Sequence, residues 1–146
     1  MNTSRIISLA TSWACVFAVT VLAQPSRSVW DGVYTQAQAD RGASLYSTEC
    51  ASCHGLELGG GEMAPPLAGG AFLSNWSGLT VGDLFDRIRQ SMPADRPGSL
   101  SREKNADILA HILRMNQFPA GSRQLDHQSE LLKQIRLEMA KQEDRK

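Results

Sequence analysis

The sequence predicts an all-α fold. Apolar residues recur at helical spacing in three segments, a capping residue precedes each segment, and no segment alternates apolar and polar residues as a β-strand does. The 146 residues suffice for one domain. The 15 basic and 15 acidic side chains balance, and Lys and Arg form no cluster, so nucleic acid is not expected as a partner.

The N-terminal residues 1–23 are interpreted as a cleaved signal peptide. One basic residue, Arg5, precedes a mostly apolar stretch that ends at Ala23 in a sequence suited to cleavage. The alternative is a retained membrane anchor, since the apolar stretch is just long enough to span a bilayer. Cleavage would remove Cys15 and leave a nearly neutral domain. We therefore expect a periplasmic protein with no stable membrane insertion.

The first main helix is predicted to begin after Thr35, where Thr35 and Gln38 match a capping box. Gly42 and Tyr46 follow at helical spacing, and the small Gly42 allows a second helix to approach closely. Residues 55–78 are rich in Gly and Pro, which predicts a long loop, either ordered or disordered.

The second main helix is predicted from the cap at Thr80 and Asp83 and must end before Pro93. The third begins after Ser101 and ends near Asn116. The apolar stripe of the second helix comprises Val81, Leu84, Phe85 and Ile88, and that of the third comprises Ile108, Leu109, Ile112 and Met115. These stripes are thin for the length of the domain, which indicates that something else helps to fill the core.

Beyond Gly121 the chain becomes polar and carries a weaker amphipathic pattern, which predicts a helical appendage. Its apolar face would comprise Leu131, Leu132, Ile135 and Met139. We expect this tail to dock on its own domain rather than on a partner, because the segment follows Gly121 closely and its charges nearly balance.

The segment Cys50-Ala51-Ser52-Cys53-His54 is the C-x-x-C-H motif of covalent c-type haem attachment. On a helical turn the two sulfurs face the same way and can form thioethers with the two vinyl groups of one porphyrin, while His54 can reach the iron. A redox dithiol would need a βαβ setting, and a zinc site would need a second ligand pair. The sequence offers neither, since His111 and His127 lie sixteen residues apart.

Residues 35–118 resemble a class I cytochrome c domain in the order of their helices, C-x-x-C-H motif, proline loop and methionine loop. The resemblance implies three main helices and loops wrapped around one covalent haem c. It implies that the Pro65 carbonyl accepts a hydrogen bond from His54 and that Leu67 packs on the haem. It also implies Met92 as the sixth iron ligand, with His111 or an open position as alternatives.

Three further side chains, those of Trp76, Arg87 and Arg89, are candidates to bind the haem propionates, because indole and guanidinium donors suit carboxylates. For two of the three, a solvated or core role is an equal alternative. In the family the terminal helices cross at a glycine, and Gly42 would meet the position of His111, which we interpret as an interface histidine.

A finer resemblance links the chain to small periplasmic cytochromes that accompany quinoprotein (PQQ-dependent) dehydrogenases. It lies in residues 29–34, in Pro65-Pro66-Leu67 and in residues 132–136. It implies a one-electron carrier that receives electrons from a periplasmic dehydrogenase and passes them to a respiratory cytochrome or terminal oxidase.

Two alternatives remain open. One is a fixed haem subunit of a dehydrogenase complex, docked through Trp30 and residues 125–140, and the other is a haem enzyme with an open sixth site. The expected organisation is a signal peptide (1–23), an extension (24–34), the cytochrome c domain (35–118) and an amphipathic tail (119–146). Acidic residues outnumber arginines in residues 55–100, which predicts a mildly acidic surface on the haem side.

Overall fold

A computed structural model describes residues 27–141, so the signal-peptide prediction and Cys15 lie outside the described residues. Within this range the α-helices are α1 (Gln36–Glu49), α2 (Ala51–His54), α3 (Gly69–Trp76), α4 (Val81–Ser91), α5 (Arg102–Met115) and α6 (Ser129–Leu132). A 3-10 turn covers Val29–Asp31, and the strands are β1 (Arg27–Ser28) and β2 (Ile135–Arg136). The predicted all-α class is confirmed.

The three main helices begin at the predicted caps. The hydroxyls of Thr35, Thr80 and Ser101 each accept a hydrogen bond from the backbone N–H three residues later. Asp83 also accepts from the Thr80 N–H at 2.9 Å, which completes the capping box of α4. Helix α4 ends before Met92, whose backbone is extended (φ −125°, ψ 151°).

The capping role predicted for the Gln38 side chain is wrong. This buried side chain instead donates to the carbonyl of Leu125 at 3.0 Å and accepts from the Leu125 N–H at 2.6 Å. A buried backbone amide and carbonyl need partners, and Gln38 supplies both to Leu125. The start of the tail is thereby fastened to α1.

Helices α1 and α5 cross at Gly42, as predicted. A Cβ atom at this position would lie 1.8 Å from the carbonyl oxygen of Asp107, so only glycine allows the two helices to approach this closely. Two ion pairs flank the crossing, Arg41–Asp107 at 2.9 Å and Arg114–Asp40 at 2.5 Å. Asp107 and His111 therefore face Gly42.

The prediction that residues 55–78 form only a loop is wrong, because they contain α3. Glycines at the start of this helix have low helix propensity and conceal it in the sequence. Tertiary packing stabilises the helix despite its low propensity, since Phe72 is buried while Leu73 and Trp76 pack partly against the core.

The predicted helical tail is wrong beyond Leu132. After the single turn of α6 the chain forms β2, which pairs in parallel with β1, and the Leu137 amide donates to the Leu79 carbonyl at 2.9 Å. This extended backbone buries alternate residues, Ile135 and Leu137. Two members of the expected helical face are exposed, Leu131 at 43 % and Met139 at 50 %.

The tail packs on its own domain, as expected. Asp86 of α4 accepts a hydrogen bond from the Ser129 hydroxyl at 2.6 Å and lies 3.3 Å from the Lys133 ammonium. The Trp30 indole donates to the Glu138 carbonyl at 3.1 Å. Trp30 and the tail, which the subunit hypothesis would use as a docking surface, thus contact each other.

Between residues 27 and 141, no helix has both the length and the apolar character required to cross a bilayer.

Substitution of Asp86 tests how the tail is held. Burial alone would raise the pKa of Asp86, but the hydrogen bonds from Ser129 and Lys133 outweigh it and bring the pKa below its ordinary value of 3.8. The carboxylate therefore stabilises the fold fully above pH 3.8, and this contribution is lost as the pH falls through the lower pKa of the folded state. We expect Asp86→Asn to lower the free energy of unfolding by about 1 kcal/mol at neutral pH.

Thermal unfolding from neutral to strongly acidic pH measures this effect. The deficit of Asp86→Asn should shrink as the wild-type carboxylate is protonated, and the matched control Glu130→Gln, an exposed residue of α6, should show none. A deficit of equal size at every pH would contradict the prediction.

Candidate functional site

The C-x-x-C-H motif lies on the single helical turn α2, directly after α1. The amides of Cys53 and His54 donate to the carbonyl of Cys50 at 3.2 and 3.0 Å, which wraps the motif into one turn. Cys50 is half-buried, Cys53 is exposed, and neither forms a disulfide within residues 27–141. This is the local conformation that two thioether bonds to one porphyrin edge require.

His54 is buried, and a backbone carbonyl fixes its ring. Its Nδ1 lies 2.9 Å from the carbonyl oxygen of Pro65. A carbonyl can only accept, so Nδ1 carries the proton, and the Nε2 of the neutral ring keeps a lone pair that can bind a metal ion. The contact implied by the family resemblance is therefore present, while its role toward a haem stays a prediction.

The loop that carries Pro65 is folded around this contact. The Gly60 amide donates to the His54 carbonyl at 2.9 Å, and the Leu67 amide donates to the Leu58 carbonyl at 2.8 Å. Gly60 has φ +75°, and a Cβ atom there would lie 2.6 Å from the nitrogen of Pro66. Gly60 is thus required both by its backbone conformation and by lack of space, a role that the Gly-rich composition alone does not reveal.

Helix α1 supports the same turn through Tyr46. The Tyr46 hydroxyl donates to the Gly55 carbonyl at 2.8 Å, and burial raises the pKa of Tyr46 to about 12. Its ring lies 5.3 Å from that of His111. Tyr46 therefore joins the α1–α5 crossing to the residue that follows His54.

His111 behaves as an interface histidine. Its Nδ1 accepts a hydrogen bond from the Arg114 guanidinium at 3.0 Å. Burial, together with the positive charge of Arg114, lowers the pKa of His111 to about 4, so the ring is neutral at physiological pH.

The remaining site residues proposed from the sequence make no hydrogen bond with His54 or Pro65 in the described part of the chain. Met92 is partly buried against the core, and Trp76 lies 6.3 Å from Phe72. Arg87 is exposed. Arg89 lies 3.8 Å from Asp86, and its buried Nε finds no partner among the described residues.

The structure disfavours the two other interpretations of the cysteine motif. Burial, and secondarily the charge of Glu49, raises the pKa of Cys50 to about 11, whereas the attacking thiol of a redox dithiol has a lowered pKa. No cluster of three or more His, Cys, Asp or Glu suited to a metal ion occurs between residues 27 and 141. The donors instead fit a haem: two thiols on one turn and one oriented imidazole.

Comparison with known proteins gives two findings. The family model described as cytochrome c oxidase, cbb3-type, subunit III matches residues 37–112, just over half of the chain. A solved chain of the sulfane dehydrogenase SoxCD from Paracoccus pantotrophus is similar, with 25 % identity and a TM-score of 0.51. The alignment covers 74 % of this chain, which spans 61 % of the length of the solved one. No curated protein matches.

Adjacent glycines allow a matched test of the loop. Gly60→Ala places a side chain at positive φ and against the Pro65–Pro66 peptide, so we expect it to lower the free energy of unfolding by ~2 kcal/mol. The control Gly59→Ala has nothing within 4 Å of its new Cβ and should change stability little. Chemical denaturation measures both, and equal effects of the two substitutions would refute the role given to Gly60.

Proposed function

The chain belongs to the cytochrome c family, as the match to the cbb3-type oxidase subunit III model shows, and from this premise we propose that it is a periplasmic one-electron carrier. Proteins of this family hold haem c covalently and transfer electrons. The further proposal is that this chain holds one haem, at its C-x-x-C-H turn, and works between a dehydrogenase and the respiratory chain.

The observation that carries the proposal is the oriented His54 ring beside two cysteines on one turn. Cys50 and Cys53 would form the thioethers, and His54 would bind the iron through Nε2. The haem, when bound, supplies reversible exchange of one electron at its iron. The carbonyl of Pro65 would hold the imidazole in orientation and raise its basicity as a ligand.

Further residues would complete the haem environment. Met92, at the end of α4, would offer its thioether as the sixth ligand, and a soft sulfur ligand raises the reduction potential. Leu67 would pack on the macrocycle. Trp76, Arg87 and Arg89 would donate to the propionates, and an acceptor of this kind would satisfy the buried Nε of Arg89.

The surface around the exposed Cys53 supports transient docking of redox partners. Leu56, three residues after Cys53, and Met63, two residues after the Gly61 that lies near the Cys53 carbonyl, are exposed at 69 % and 83 %, and the acidic Glu57 and Glu62 are also exposed. A small apolar contact edged by carboxylates suits a partner with a basic rim that binds weakly and dissociates quickly. The proposed donor is a periplasmic dehydrogenase, of the PQQ-dependent type by resemblance, and the acceptor is a respiratory cytochrome or terminal oxidase.

The similarity to a chain of a sulfane dehydrogenase favours a second candidate, a fixed haem subunit of a dehydrogenase complex. The two candidates differ in how tightly the partner is held. Copurification with an enzyme subunit at high salt supports the fixed subunit, whereas purification of the chain alone supports the mobile carrier.

Haem attachment is tested by replacing the cysteines. Cys50→Ala and Cys53→Ala each remove one thioether, and we expect little stable holoprotein from either variant. The control Ser52→Ala changes the exposed residue between them and should attach haem normally. Haem staining of denaturing gels gives the result, and normal covalent haem in both cysteine variants would overturn the proposal.

The sixth ligand is tested by Met92→Ala. This variant should keep covalent haem through Cys50, Cys53 and His54, show a lower reduction potential, and bind carbon monoxide in the ferrous state. The exposed Met63 provides the control, since Met63→Ala should leave potential and spectrum unchanged. An unchanged spectrum and potential in Met92→Ala would show that another residue is the ligand.

A further inference from the structure

Asn116, the residue that caps the C-terminal end of α5, makes three hydrogen bonds that the sequence analysis did not anticipate. Its buried side-chain amide donates to the carbonyls of Leu67 and Ile112, both at 2.9 Å, and accepts from the Gly69 N–H at 3.0 Å. Both amide N–H donors are thus used. Asn116 ties the end of the last main helix to the loop that carries Pro65.

The same loop is held from its other side by His54. Among the described residues, His54 and Asn116 are the two side chains outside residues 58–69 that hydrogen-bond to the backbone of this segment, His54 through one bond and Asn116 through two. Leu67 is bonded on both sides, because its amide donates to the Leu58 carbonyl while its own carbonyl accepts from Asn116. Only one residue separates Pro65 from Leu67, so a shift at Leu67 is transmitted directly to the carbonyl that orients His54.

We propose that Asn116 is a positioning residue for the proximal ligand: it holds residues 65–69 so that the Pro65 carbonyl stays within hydrogen-bond distance of His54 Nδ1. This inference rests on the proposed function through the role of His54. Loss of the Asn116 hydrogen bonds weakens the hydrogen bond that the Pro65 carbonyl accepts from His54 Nδ1, which lowers the basicity of the imidazole. A less basic ligand stabilises ferric iron less, so the reduction potential rises.

Asn116→Leu, which has nearly the same shape and no polar atoms, removes the three bonds. The matched control is Asn105→Leu, because Asn105 is also buried on α5 and donates to two backbone carbonyls, those of Leu100 and Ser101, but has no bond to residues 58–69. Two properties of the holoprotein are measured: the reduction potential, and the solvent exchange of the His54 Nδ1 proton in the ferrous state by NMR.

We expect Asn116→Leu to raise the potential and to speed exchange of the His54 proton by about tenfold or more, a loss of at least 1.4 kcal/mol of protection. Asn105→Leu can lower the melting temperature equally but should leave both properties unchanged. A folded Asn116→Leu holoprotein with wild-type potential and exchange overturns the inference, as does an equal response of the control.

Wild-type protein provides a measurement that does not depend on the variant folding. The Gly69 amide is bonded to Asn116, so its exchange and that of the His54 proton, corrected for intrinsic rates, should rise in parallel with denaturant. Exchange at Gly69 about a hundredfold faster than at His54 would show that the tie opens alone and would overturn the inference. Absence of covalent haem from wild-type protein would instead overturn the proposed function.

Discussion

The hydrogen bond between His54 and Pro65 is the constraint on which the site depends, because it fixes both the proton and the orientation of the imidazole. A carbonyl acceptor permits one tautomer of the neutral ring, and that tautomer leaves Nε2 free to ligate. The loop must therefore present a particular carbonyl to a particular ring. Gly60, which accommodates the Pro65–Pro66 peptide without a side chain, makes that approach possible.

The helix crossing at Gly42 serves the site from a distance. Close contact of α1 with Asp107 fixes the position of α5, and the end of α5 carries Asn116, which bonds to the site loop. Tyr46 adds a second connection from α1 to the residue after His54. The C-x-x-C-H turn and the loop that carries Pro65 are thus both connected to the packed pair of helices α1 and α5.

Features that a short stretch of sequence determines on its own were predicted correctly. The caps at Thr35, Thr80 and Ser101, the close approach at Gly42 and the turn of C-x-x-C-H all follow from local chemistry, and the structure contains each of them. Helix α3 escaped prediction because its glycine-rich start is stabilised by the burial of Phe72, which is a tertiary effect. The tail was assigned the wrong periodicity because its burial is decided by pairing with β1, more than a hundred residues away in sequence. Assignment of ligands to the iron rests on the motif and the family resemblance together with the geometry of His54.

The uncharged hydrogen bond to His54 suits an electron carrier, because it does not respond to pH. Charged contacts that respond to pH, such as Asp86 with Lys133, help to hold the tail, whereas the uncharged carbonyl of Pro65 holds the ring of His54. Because a carbonyl does not titrate, protonation of surface carboxylates leaves the acceptor at Nδ1 unchanged. Acid can therefore loosen the contact between Asp86 and Lys133 without changing the carbonyl that faces His54. As the proposed iron ligand, His54 has no titrating partner in its hydrogen bond to Pro65 that could couple a change of oxidation state to proton uptake, which favours transfer of the electron alone.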